Sequence, residues 1–372
     1  MNKNSTVEIT KSTLPWLDIV RGIAALVVVL NHTRGCYFVK WDDLNNKNLF
    51  DWMAFGASKM GREAVMVFFV LSGYLVGGNA IRQFFDGEFR FQKYAVARLT
   101  RLYMVLFPAL LLTWYCDTLH LKMAPEFGVN VHLDFFTFLK NLGFLQGICS
   151  PNYGSNGPLW SLAYEFWYYC LLGIALSGLA RPFGLKTIMA ILAAGLTLII
   201  MPHECLVLLS IWCAGAAANF TRIQLNYFGG IIAFVIFCGS VAGNVLAPGL
   251  LTETLVGLTF VPVLIWLTRL PFPNSIIFKW LGHRLAGFSY TLYANHYPIT
   301  GLVMTALVPI RLQTGFKQWL GYVGILSLII IVNYGLYWCF ERRTDVVRKY
   351  IMAQWEIPNR KKNQHQSDAS IF

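Results

Sequence analysis

Of 372 residues, 56% are hydrophobic and only 13% are charged, which excludes an ordinary soluble domain and fits a polytopic membrane protein. The net charge of +12 would suit a nucleic-acid binder. The basic residues, however, lie in short loops and the C-terminal tail, as the positive-inside rule expects, so membrane lipids and not nucleic acid are the expected partners.

The chain reads as an all-α, polytopic integral membrane helix bundle of about ten transmembrane helices. The spans fall at roughly 17–36, 64–81, 101–116, 160–179, 186–201, 204–220, 226–246, 251–268, 285–308 and 318–340. With the N-terminus inside, twenty Lys and Arg face the cytoplasm and nine face out, so both termini are expected in the cytoplasm. The organisation is then an N-terminal cytoplasmic tail, 1–13, a transmembrane domain, 14–341, and a C-terminal cytoplasmic tail, 342–372. That last tail ends in the disordered-looking RKKNQHQSDASIF. No cleavable signal peptide is expected, because the first apolar run is long and carries Asp18 and Arg21.

The stretch 14–34, LPWLDIVRGIAALVVVLNHTR, reads as the first span, with Pro15 suited to its start. Arg21 and His32 are eleven residues apart, close to three helical turns, so they share a face at a separation of roughly 16 Å. Asp18 lies near the same stripe. Ionisable groups within a bilayer face a bundle interior or a wet cavity, which makes this stripe a candidate polar track. The plainer alternative is a snorkelling Asp18–Arg21 pair at one boundary and a polar His32 at the other.

In the second span, VMVFFVLSGYLVGG, the Ser72-Gly73 and Gly77-Gly78 pairs predict close helix approach, while Ser72 has no local base to make it a nucleophile. Arg98 and Arg101, spaced i, i+3, can aim at one anionic site or simply contact lipid headgroups. The apolar stretch 133–145 is too short to span and is expected to lie at the interface or re-enter.

In NYGSNGPLWSLAYEFWYY, Glu165 sits about one turn inside a span and is a site candidate by default. Asn156, Trp160, Ser161 and Tyr164 offer a sugar-binding rim, though belt anchoring accounts equally for the aromatics. Ser289, Tyr293 and His296 share one face of the ninth span, with Tyr290 beside them. The chain leaves the last span at Phe340-Glu341-Arg342-Arg343, which reads as an ordinary charged stop. The eight cysteines show no metal-ligand spacing and fall mostly in apolar runs, and no metal is expected. A disulfide between Cys36 and Cys149, both placed outside, stays open.

LDIVRGIAALVVVLNH, FFVLSGYLV, ARLTRLY, GPLWSLAYEFWYY and SYTLYANHYP occur in the order and rough spacing of the membrane-bound acyltransferase family three proteins. The chain resembles that family from about residue 14 to residue 341. The resemblance implies a multi-pass protein of the bacterial inner (cytoplasmic) membrane that O-acylates an extracytoplasmic sugar, most often with acetyl. O-antigen and exopolysaccharide are typical acceptors. It implies that His32 is the catalytic histidine, that Arg21 is its functional partner, and that Arg98 and Arg101 handle an acyl-CoA donor; general-base action on a sugar hydroxyl and transient carriage of the acetyl group both stay open for His32. Acetyl-CoA is then a substrate and no cofactor is bound. Glu165 is a further catalytic candidate, and Asp18, Ser72, Trp160, Tyr164, Ser289, Tyr293 and His296 are supporting or acceptor-binding candidates, the acceptor being a carbohydrate, free or lipid-linked. No hydrolase-like extracytoplasmic domain is expected after the core. The chain departs from the family where a proline commonly follows the final glutamate, since Glu341 is followed by Arg342-Arg343. Three rivals remain: a flippase of lipid-linked sugar, a scaffold for glycan assembly, and a transferase of succinyl or another acyl group. The absence of an internal repeat weighs against many transporter folds.

Overall fold

The computed structural model describes residues 14–125, 131–180, 184–273 and 275–355. The expected tail 1–13 and the polar C-terminal stretch from 356 onward lie outside the described residues. Among the described residues the chain is helical and contains no strand. Its helices are α1 (Pro15–Tyr37), α2 (Leu49–Ser58), α3 (Gly61–Ser72), α4 (Asn79–Phe85), α5 (Phe91–Met123), α6 (Phe135–Leu142) and α7 (Trp160–Leu179). They are followed by α8 (Leu185–Ile200), α9 (His203–Ala218), α10 (Tyr227–Leu246), α11 (Leu250–Arg269), α12 (Ile276–Leu307) and α13 (Phe316–Cys339). A π-helical segment, Gly73–Gly78, joins α3 to α4.

Each of the ten expected spans falls on a helix. Seven of the described helices, counting α2 to α4 as one, are long and apolar enough to cross a membrane. Helices α8 and α9 are apolar but short, at 16 residues each. Helix α12 has the length, but its polar run lowers its hydropathy. The third span proves longer than its apolar part, 101–116, because α5 continues for 33 residues through flanking polar turns. The apolar stretch 133–145 forms the eight-residue α6, capped by Asp134, whose carboxylate accepts from the Thr137 amide at 2.9 Å. Its exposed Phe135 and Phe136 suit an interfacial position.

Helices α1 and α12 run parallel with a nearly constant register. Gly22 faces Leu285, and His32 faces His296. A Cβ at position 22 would collide with Leu285, so glycine is what lets the two polar-faced helices meet closely. Glycine has the same effect where the π-helical segment meets α9, because a Cβ on Gly73 would strike the Trp212 carbonyl.

Two apolar clusters flank this pair. One joins α3, α5, α7, α9 and α11 through residues such as Val70, Leu106, Ile211 and Leu264. The other joins α1, α12 and α13 through Val29, Leu292 and Ile329. Phe68 packs against both, which places it at the seam. All eight cysteines are free, Cys36 half-buried and Cys149 exposed, so the Cys36–Cys149 disulfide left open above is not formed.

Candidate functional site

The polar faces of α1 and α12 converge on a pair of imidazoles. His296 is fully buried, and its Nδ1 lies 2.7 Å from the Tyr293 carbonyl and 3.1 Å from that of Leu292. A carbonyl can only accept, so in the neutral ring Nδ1 carries the proton and Nε2 is left as an acceptor. His32 Nδ1 stands 3.2 Å from that Nε2 and must therefore be the donor. The proton inventory leaves His32 Nε2 with a free lone pair. The Tyr297 ring meets the His32 ring edge-on, at 5.1 Å between centroids, and fixes its plane.

A proline organises the neighbouring segment. Pro298 has no N–H, so the carbonyl of Ala294, four residues earlier, loses its helical partner. Asn156 supplies the replacement, its Nδ2 donating to the Ala294 carbonyl at 2.9 Å and to Thr113 Oγ1 at 3.0 Å. Tyr293 extends the same seam by donating to the Pro158 carbonyl at 2.9 Å and meeting Ser161 Oγ at 2.6 Å. The loop before α7 is thereby clamped beside His296.

One to two turns towards the N-terminal ends of α1 and α12 lies a carboxylate layer. Glu165 accepts from Tyr169 and from Tyr290, each at 2.6 Å. Tyr169 also meets Ser72 at 2.9 Å, and Trp212 donates to Ser72 at 3.1 Å. Ser72 is a link in this network. Both Glu165 oxygens are taken by phenols, and it is His296 that meets the His32 imidazole.

Beyond this layer sit the arginines. Arg21 donates to Asp18 at 2.8 Å, and both are partly buried. It also lies within electrostatic reach of Arg101, Tyr290 and Glu341. Arg101 stacks over Tyr290 at 4.6 Å and pairs with Glu341 at 3.3 Å. Glu341 is only 3% exposed and accepts from the amide and hydroxyl of Thr291, at 3.0 and 2.7 Å. This corrects the reading of Glu341 as an ordinary charged stop: the chain turns at the end of α13 and buries the carboxylate against α5 and α12. It also separates the two expected donor-binding residues. Arg101 is held by protein, whereas Arg98 stacks over Tyr169 at 5.9 Å and, among the described residues, makes no ion pair.

At the histidine end of the bundle, Trp160 is half-buried beneath the Arg62 guanidinium, 5.2 Å away, and Arg62 is anchored by Glu253 at 2.6 Å. Trp160 keeps its place as a rim candidate. Tyr164 does not, because it is 3% exposed and packed edge-on beneath Trp160. Asn156 is likewise fully buried and acts as a clamp.

Between the arginine and histidine layers lies a cavity of about 40 Å³. Ser289 borders it while donating to the Ala286 carbonyl at 2.9 Å, and Tyr290 and Tyr293 complete that wall. The sequence reading found the residues of both layers on α1 and α12, but it missed the buried Glu341–Thr291–Arg101 contact. It also missed the Asn156 clamp, whose one local signal was a proline four residues beyond Ala294.

The chain was compared with known proteins. No solved structure matches it. A stretch of 184 residues is 25% identical to a protein of Shigella phage Sf6 described as an O-acetyl transferase, covering 44% of this chain and 46% of that relative. The chain thus matches about half the length of this curated relative. A family profile described as an acyltransferase domain matches residues 14–338, nearly the whole helical bundle. That match shows that the chain belongs to acyltransferase family three, and its seven long apolar helices fit a multi-pass membrane protein.

Proposed function

We propose that this acyltransferase moves acetyl from cytoplasmic acetyl-CoA to a sugar hydroxyl of a cell-surface or exported polysaccharide, of the O-antigen or exopolysaccharide type. The observation that carries the reading is the His32–His296 pair, which leaves His32 Nε2 as a base about 16 Å along α1 from Arg21. The name of the phage relative supports an O-acetyl group as the product. In this reading the membrane is the bacterial inner (cytoplasmic) membrane, with both chain termini inside, so that the arginine end faces acetyl-CoA and the histidine end faces the glycan.

The donor's phosphates meet Arg98, whose guanidinium is not committed to a carboxylate. Its thioester arm follows the α1–α12 seam to His32. The acceptor hydroxyl gives its proton to His32 Nε2 as its oxygen attacks the thioester carbonyl carbon. A carbon–oxygen bond forms, the carbon–sulfur bond breaks, and the thiolate takes the proton back from the imidazolium. The products are the sugar ester and free CoA. His296 Nε2, accepting from His32 Nδ1, stabilises the imidazolium in between. Trp160 offers its apolar face to a sugar ring.

The test is thiol release. Membranes containing the protein, supplied with acetyl-CoA and a glycan acceptor, are expected to release one free CoA per acetyl group found on the glycan. Movement of glycan across the membrane without thiol release would contradict the transferase reading and favour a flippase.

A further inference from the structure

The cavity between the arginine and histidine layers is bordered by residues that touch each of them. Tyr290 forms part of its wall and also lies beneath Arg101, at 4.6 Å. Tyr293 forms another part, with its ring 6.1 Å from that of His296. Opposite them stand Val65, Phe68, Phe69 and Leu162. Phe69 is 3% exposed and locked between Trp160 and Tyr168, at 6.1 and 5.7 Å. Phe68 is only partly buried and meets Tyr293 at 5.8 Å, on the seam between the two apolar clusters.

We propose that this cavity is the acyl pocket, and that Phe68 and Phe69 hold the transferred group to the size of acetyl. The inference rests on the transferase reading above and adds which acyl groups the site accepts and which residues decide it. A volume of about 40 Å³ compares with roughly 10–15 Å³ for one water and about 150 Å³ for a cavity that takes benzene. It therefore has room for three or four water-sized groups. Acetyl has three non-hydrogen atoms, butyryl has five, and benzoyl is out of range. Charge selects as well. A succinyl carboxylate would lie among four apolar side chains and beside Glu165, a like charge whose two phenol donors are already committed. The polar wall offers it no free hydroxyl either, since Tyr293 donates to Pro158 and Tyr290 to Glu165.

The experiment compares acetyl-, butyryl- and succinyl-CoA as donors in membranes holding the wild type, Phe68→Ala, Phe68→Leu and Val65→Phe, with inserted protein matched. Each methylene beyond the pocket's capacity is expected to cost about tenfold or more. The wild type is thus expected to favour acetyl over butyryl by about a hundredfold and to leave succinyl unused. Phe68→Ala is expected to raise the butyryl-to-acetyl ratio at least tenfold without admitting succinyl. Phe68→Leu removes fewer atoms and should shift the ratio less but in the same direction, which covers the case in which the alanine variant fails to insert. Val65→Phe, which fills the cavity, is expected to slow acetyl transfer. Wild-type transfer of butyryl as fast as acetyl, or an unchanged ratio in the inserted Phe68 variants, overturns this inference and leaves the transferase reading standing. No transfer from any thioester by inserted wild-type protein overturns both.

Discussion

The two ends of the α1–α12 pair use ionisable side chains in opposite ways. At the arginine end, charge is matched by charge: Arg21 has Asp18, and Arg101 has Glu341. At the histidine end, two rings share one hydrogen bond and, among the described residues, no carboxylate bonds to either. A matched cluster holds its geometry and leaves the unpaired Arg98 beside it, which suits binding a polyanion. An imidazole pair without a fixed counter-charge can take up a proton and release it, which suits moving one. In the proposed reaction, the spacing of roughly 16 Å along α1, at ~1.5 Å per residue, would keep donor binding and proton transfer apart within one helix.

Substitutions at each end separate the two uses of charge. His32→Ala removes the base and is expected to lower transfer by about 10²- to 10⁴-fold with insertion unchanged, measured as labelled glycan per inserted protein. Arg101→Ala leaves Glu341 buried without its counter-charge, a loss of about 3 kcal/mol in stability. A thermal-unfolding measurement in detergent should register that loss, and adding Glu341→Gln should recover part of it. If the single and double variants unfold alike, the pair is not coupled. Asn156→Leu abandons the carbonyl freed by Pro298 and should cost about 1–3 kcal/mol, again read by unfolding. Arg98→Ala is the mildest. With no ion pair to break, it should leave stability alone and raise the donor KM about tenfold, equivalent to one lost charge-assisted contact of ~1.4 kcal/mol. A drop in kcat with an unchanged KM would instead place Arg98 away from the donor.

Much of this was legible because membrane helices advertise their faces. The eleven-residue spacing of Arg21 and His32 put both on one stripe, and Ser289, Tyr293 and His296 declared a second. Helical periodicity gives the face of a residue but not its neighbour, so the contact between His32 and His296, 264 positions apart, needed the fold. Glu341 was misread for a related reason. An acid followed by two arginines at the end of a span has the composition of a stop, and only the return of the chain over α5 and α12 buries it. Tyr164 was misplaced because an aromatic residue near a boundary looks the same whether it faces the rim or the interior. The glycines of the second span were read correctly, since a missing Cβ has the same consequence wherever the neighbour lies.

The central claim is that His32 carries the transfer. Labelled acetyl-CoA, supplied to membranes holding equal amounts of inserted wild-type and His32→Ala protein together with a glycan acceptor, tests it most directly. Label is expected on the glycan with the wild type and only background with the variant. Equal labelling by the two would contradict it, leaving the imidazole pair as a packing feature of the α1–α12 seam.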